Sequence, residues 1–176
     1  MILSKNTKVP SVLHLRNLLS IALYLLIFPG FSQSVQLTYP QKTFDSDTCC
    51  WRKLSAEGKY EEAAQLVVNY LQTNKPSNKH SLYWHAAQLF AKAGNNKTAV
   101  KYIRKTYNGF YYAFGDEDAK TWYLYAKGVE CFLLRKKDQL KRIIARWDKK
   151  FTKEKNFLQL QLLYKNWDLP YQEAVH

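Results

Sequence analysis

The chain has 176 residues, with 27 Lys and Arg against 14 Asp and Glu, a formal net charge of +13, and three cysteines. That length suits one domain able to bury about two thirds of the surface its unfolded chain exposes, and an odd trio of cysteines implies no disulfide framework. The basic excess suits acidic partners or anionic surfaces, and equally suits helices that carry lysine on their solvated faces.

Lys5, Lys8 and Arg16 precede an apolar run from Leu18 to Phe28, followed by Pro29-Gly30 and the small residues Ser32 and Ser34. A basic flank, a short apolar stretch and small residues make an export signal, so residues 1–34 are predicted to be a signal peptide and the mature chain to begin near Val35. The run falls short of the roughly 20 residues a spanning helix needs, so no transmembrane span is expected in the mature chain. An uncleaved anchor, with the run lengthened by Val12, Leu13 and Leu15, is the alternative. Cleavage would remove three basic residues and no acidic one, lowering the net charge from +13 to about +10. An exported protein is also an unlikely companion for nucleic acid, and none is expected as a partner.

Residues 35–45 read as an extended, loosely docked lead-in, because Pro40 blocks a helix interior. A first short helix is predicted from Ser46 to about Glu57, with Trp51 and Leu54 on one face and Gly58 ending it. The second runs from Tyr60 to about Thr73 on an apolar stripe of Ala63, Ala64, Val67, Val68 and Leu71. Asn78 caps a third, whose inner face carries Leu82, Tyr83, Ala86, Ala87 and Phe90 before Gly94. The stripe Ala99, Ile103, Tyr107 and Phe110 predicts one long fourth helix. Asp116 and Asp118 can cap a fifth, which carries Trp122 through Leu134. After a turn at Arg135-Lys136-Lys137, a sixth places Leu140, Ile143, Ile144 and Trp147 on one side. The segment from Asn156 to Tyr164 alternates like a strand and also fits a helix, and a capping helix is expected because a stacked array must cover its last apolar face.

One phrase recurs. Gly58-Lys59-Tyr60-Glu61-Glu62-Ala63 returns 36 residues later as Gly94-Asn95-Asn96-Lys97-Thr98-Ala99. The glycine can close one helix in a left-handed conformation, and the alanine lets two helices approach closely. This pattern, from Ser46 to Lys149, resembles the tetratricopeptide family, whose repeat is 34 residues. The third unit departs from it, with Arg135 and Leu140 in place of the glycine and alanine. The resemblance implies an all-α fold: a short α-solenoid of about three antiparallel helix pairs with a C-terminal capping helix, over residues 46–176.

The resemblance also implies a ligand groove lined by the first helix of each pair. Matched by position, that groove holds Cys49 and Arg52, then Ser81, Trp84, His85 and Gln88, then Trp122, Tyr125 and Val129. Arg52, Trp84, His85, Gln88, Trp122 and Tyr125 are the expected partner-binding residues, against the alternative that these side chains serve only packing. Such a surface suits an extended peptide or sugar rings better than an isolated charge. The aromatic run Phe110, Tyr111, Tyr112 and Phe114 fills the irregular junction before the fifth helix, or offers a second docking surface.

Catalytic and metal chemistry find little footing. Glu117, Asp118 and Lys120 beside Gly115, with His85 as a base, are the available groups, but capping explains the acidic run and no nucleophile motif or phosphate loop appears. His80 and His85 stand five apart and diverge by about 140° on a helix, which is wrong for shared ligation. Adjacent Cys49 and Cys50 cannot bridge without severe strain, while a bridge from either to Cys131 stays open. No cofactor or metal is expected. The expectation is therefore an exported, non-enzymatic module in a bacterial envelope, periplasmic or extracellular setting that binds a peptide or protein. The rival is a carbohydrate- or polyanion-binding envelope protein.

Overall fold

In a computed structural model the protein is described over residues 39–148 and 155–176, and the predicted signal peptide lies outside the described residues. Among the described residues there are ten helices and no strand: α1 Gln41–Phe44, α2 Cys50–Ala56, α3 Tyr60–Thr73, α4 Lys79–Lys92, α5 Asn96–Ile103, α6 Gly109–Phe114, α7 Glu117–Leu133, α8 Lys137–Asp148, α9 Lys155–Lys165 and α10 Tyr171–Ala174. The fold is all-helical. None of these helices is long and apolar enough to cross a membrane.

Three hairpins, α2/α3, α4/α5 and α7/α8, share one way of reversing the chain. Each first helix ends on a left-handed residue, Gly58 (φ 77°), Gly94 (φ 80°) or Arg135 (φ 56°). The next amide then reaches back five residues: Lys59 N to Leu54 O, Asn95 N to Phe90 O and Lys136 N to Cys131 O, each 2.8 Å. This bond satisfies a carbonyl that the helix end would otherwise strand. The third turn thus keeps the geometry of the first two without their glycine. A non-glycine residue there costs about 1 kcal/mol or more, and Arg135 is held by its guanidinium lying 4.6 Å from the Trp167 ring centre and 5.5 Å from that of Phe132.

Between the hairpins, α3 packs on α4 and α5 on α7. Ala63 and Ala99, the small residues of the recurring phrase, are fully buried, with Val67, Leu82, Ala86, Ala87, Phe90 and Ile103 around them in one continuous core. The ambiguous C-terminal segment is the helix α9, which covers α7 and α8. Gly128 on α7 permits this, because a side-chain carbon there would meet Leu160 at 2.7 Å.

Two expectations are corrected. The described part of the lead-in, residues 39–45, is firmly docked: Phe44 of α1 is fully buried and stacks on Tyr70 at 4.0 Å, and Tyr70 donates to Tyr39 O at 2.8 Å. Gln41 supplies the polar half, accepting from Asn78 N at 2.7 Å and Ser77 Oγ at 3.1 Å and donating to Asn78 O at 3.0 Å. Pro40 here starts a helix, where its missing amide costs nothing. The long fourth helix is also two: α5 stops at Ile103, and Asn108, in an extended conformation, accepts from Tyr111 N to cap α6. All three cysteines are free; Cys131 is buried and approaches Gln139, so no bridge to it forms.

Because Ala63 and Ala99 are fully buried between helices, Ala63→Leu and Ala99→Leu are each expected to lower stability by about 1–3 kcal/mol through overpacking. Chemical denaturation followed by circular dichroism measures this, and unchanged unfolding midpoints would contradict the close approach.

Candidate functional site

The first helices of the three hairpins carry a connected row of rings. On α2, Trp51 donates its indole N–H to Phe44 O at 2.8 Å, and its ring lies 5.1 Å from His85 on α4. Arg52 covers the outer side of Trp51 at 4.3 Å and donates to Asp45 O at 3.0 Å. One residue before His85, Trp84 contacts Trp122 at 5.0 Å and Tyr125 at 5.2 Å, both on α7. Trp122 and Tyr125 meet at 5.9 Å. Trp84, His85, Trp122 and Tyr125 therefore belong to one aromatic seam, which edge and tilted ring contacts stabilise beyond their buried area.

The seam is not uniformly open. Arg52, Ser81, Trp84, His85, Gln88 and Trp122 are half-buried and reach the surface, whereas Tyr125 is only 7% exposed and Cys49 and Val129 lie in the core. The burial of Tyr125 has a cause the sequence did not signal. The short helix α10 folds back on α4, and its Tyr171, 5% exposed, lies by Tyr125 and Gln88. Burial raises the Tyr171 phenol above its ordinary range, and burial likewise pushes Tyr125 up to about 12. Both rings stay neutral. Gln172 extends the contact, donating to the Tyr60 hydroxyl at 3.1 Å. At this end the chain fills its own face.

At the other end the seam opens into a cavity of about 410 Å³ where α5 gives way to α6 and α7. Thr106 organises it. Its carbonyl, freed where α5 stops, accepts from Trp122 Nε1 and from His80 Nε2, each at 2.7 Å. Beyond it, Tyr107 donates a short hydrogen bond to the buried Glu130, which also takes Arg104 at 2.9 Å and Lys127 at 3.2 Å. Burial alone would raise the Glu130 pKa, but the bonds from Tyr107, Arg104 and Lys127 outweigh it and hold the carboxylate below its usual range. Over the cavity mouth, α6 exposes Phe110 (67%), Tyr111 (57%) and Phe114 (78%). His80, Thr106 and Tyr107 are thus site residues that the sequence reading missed. The clue was Asn108, whose capping character argued against a helix running through to Phe110.

No cluster of three or more His, Cys, Asp or Glu side chains able to hold a metal occurs among the described residues. Asp116 caps α7 by accepting from Ala119 N at 2.8 Å. His85 pairs with Ser81 Oγ at 3.2 Å. Burial lowers the His85 pKa from 6.5, opposed by Asp45 and aided by Arg52. An imidazole whose folded pKa lies below its unfolded value is destabilising once protonated, so its contribution is present above pH 6.5 and is lost as pH falls through that folded value. Lowering the pH from about 7.5 to 5.5 is therefore expected to reduce the melting temperature of the native protein more than that of His85→Gln. Tyr125→Ala is expected to cost about 3–5 kcal/mol because the ring is core, while Tyr111→Ala stays within about 0.5 kcal/mol. Thermal and urea unfolding read both.

Set against models of protein families, curated proteins and solved structures, the chain matches none of them.

Proposed function

We propose that this protein is an exported, non-enzymatic interaction module built as a short solenoid of tetratricopeptide-like helix pairs. Its partner, a peptide or protein, engages the open part of the aromatic seam, through Arg52, Trp84, His85 and Trp122, and extends onto α6. Gln88 and Tyr125 support this surface from within, under Tyr171. One observation carries the reading: Phe110, Tyr111 and Phe114 stand more than half exposed on a six-residue helix whose Tyr111 lines the same cavity as Trp122 of the seam. Large exposed aromatics grouped in this way commonly mark a binding surface, and amphipathic rings give contact area for little lost side-chain entropy.

The three matching turns support the repeat architecture, since each reverses the chain with one left-handed residue and an amide that reaches back five positions. The absence of a nucleophile motif in the sequence supports a binding role over a hydrolytic one. Export rests on the basic and apolar pattern of residues 1–34.

Proteins co-purifying with the native chain from its source are expected to be reduced at least tenfold with Phe110→Ser/Phe114→Ser, while its melting temperature stays unchanged. Undiminished capture by that folded variant would remove the proposed surface. The same capture repeated across a range of ionic strength separates the rival reading, because binding to a polyanion collapses as salt rises and an aromatic contact is less affected.

A further inference from the structure

The cavity at the break between α5 and α6 has a chemistry of its own, and it stands whether or not the seam beside it takes a protein partner. Four large aromatic side chains, Tyr107, Tyr111, Trp122 and Tyr123, line it together with the His80 imidazole, Thr106 and Asp118. Its volume of about 410 Å³ lies in the range of small-molecule sites, roughly 300–1,000 Å³. Three of the rings are fixed. Trp122 is tied by its indole N–H to Thr106 O, Tyr107 by its hydroxyl to Glu130, and Tyr123 packs edge-on against Tyr107 at 5.3 Å and against Tyr112 at 4.7 Å. The fourth, Tyr111, is half exposed at the mouth.

Several hydrogen-bonding groups of this wall are already used. Thr106 O serves two donors, Asn108 Oδ1 serves the Tyr111 amide, and the Tyr107 hydroxyl is turned to Glu130. A ligand entering here therefore meets mainly aromatic side chains, with the Tyr111 and Tyr123 hydroxyls as its polar contacts on the rings. One charge remains unmatched: Asp118 sits at the rim, exposed, with no side-chain ion pair or hydrogen bond among the described residues, since Asp116 performs the capping of α7. Lys105 also reaches the cavity, but its ammonium lies over the rings of Tyr83 and Tyr102, at 4.8 and 5.3 Å.

We propose that this cavity is a binding site for a small quaternary ammonium cation. Electron-rich ring faces attract positive charge, and an adjacent carboxylate completes the neutralisation. The aromatic character of the wall chooses among cations. A primary ammonium would surrender its water for a wall of rings in which Asp118 and two tyrosine hydroxyls are its acceptors, an exchange that favours it less than a cation needing no hydrogen bond. A trimethylammonium group carries the same charge on a shell of methyls, which ask for van der Waals contact and no hydrogen bond.

Isothermal titration of the full chain with choline chloride tests this, with 3,3-dimethyl-1-butanol as the uncharged isostere and ethanolamine as the primary amine. Saturable choline binding is expected, at least tenfold tighter than either comparison compound. Tyr111→Ala, which removes an exposed ring, is expected to weaken choline at least fivefold with an unchanged melting temperature, and Asp118→Asn to weaken it in the same direction. Equal affinity for choline and its isostere would overturn the site as a cation site. So would absence of choline binding at millimolar concentration, tighter binding of ethanolamine, or a folded Tyr111→Ala variant that binds choline undiminished.

Discussion

A helix that ends inside a protein strands its last carbonyls, and the fold rests on how this chain supplies them with donors. Three times it does so with one left-handed residue and an amide reaching back five positions, after Leu54, Phe90 and Cys131. Each such reversal sends the next helix back along the one before it, so hairpins rather than an open bundle result. Fully buried Ala63 and Ala99 follow two of these turns and let the returning helices close on their neighbours. At the third, Leu140 is also fully buried, and Gly128 on α7 makes room for Leu160 of α9.

A fourth helix end is handled differently, and that difference creates the site. After Ile103 no left-handed residue follows; the carbonyl of Thr106 is turned outward to side chains, one from α4 and one from α7. The junction therefore stays open instead of closing into a tight turn. The insertion of α6 between the second and third hairpins is accommodated there, with Tyr107 anchored on Glu130 as the hinge of the cavity wall. Neutral Tyr107, whose pKa burial raises well above its ordinary range, can serve Glu130 as a permanent donor.

What the sequence made legible was whatever local spacing controls. The boundaries of α3 and α4, the caps Asn78 and Asp116, and the glycine turns follow from residues within a turn or two of each event. The docking of Gln41 against Asn78, 37 positions away, has no local signature, because an isolated glutamine in a proline-led segment reads as loop. The turn at Arg135-Lys136-Lys137 was legible, but its left-handed conformation was not, for the same reason: the Arg135 guanidinium packs on Trp167, far along the chain. Among the expected binding residues, the resemblance set Trp84, His85 and Trp122 in one groove, but helix-by-helix matching could not reveal that Tyr171 would cover Gln88 and Tyr125. Periodicity describes what a helix presents, whereas occupancy of that face depends on segments elsewhere in the chain.

The return of α10 changes the thermodynamic character of the whole stack. Hairpins joined in series unfold as a nearly one-dimensional system, in which each unit feels only its neighbours and an end can fray while the rest persists. Here Gln172 meets Tyr60, across 112 residues, and Tyr171 is buried beside the middle hairpin. Such a clasp makes loss of the last segment expose the interior of earlier units. Melting from one end is thereby converted toward a single cooperative event, at the cost of a slow, long-range closure late in folding.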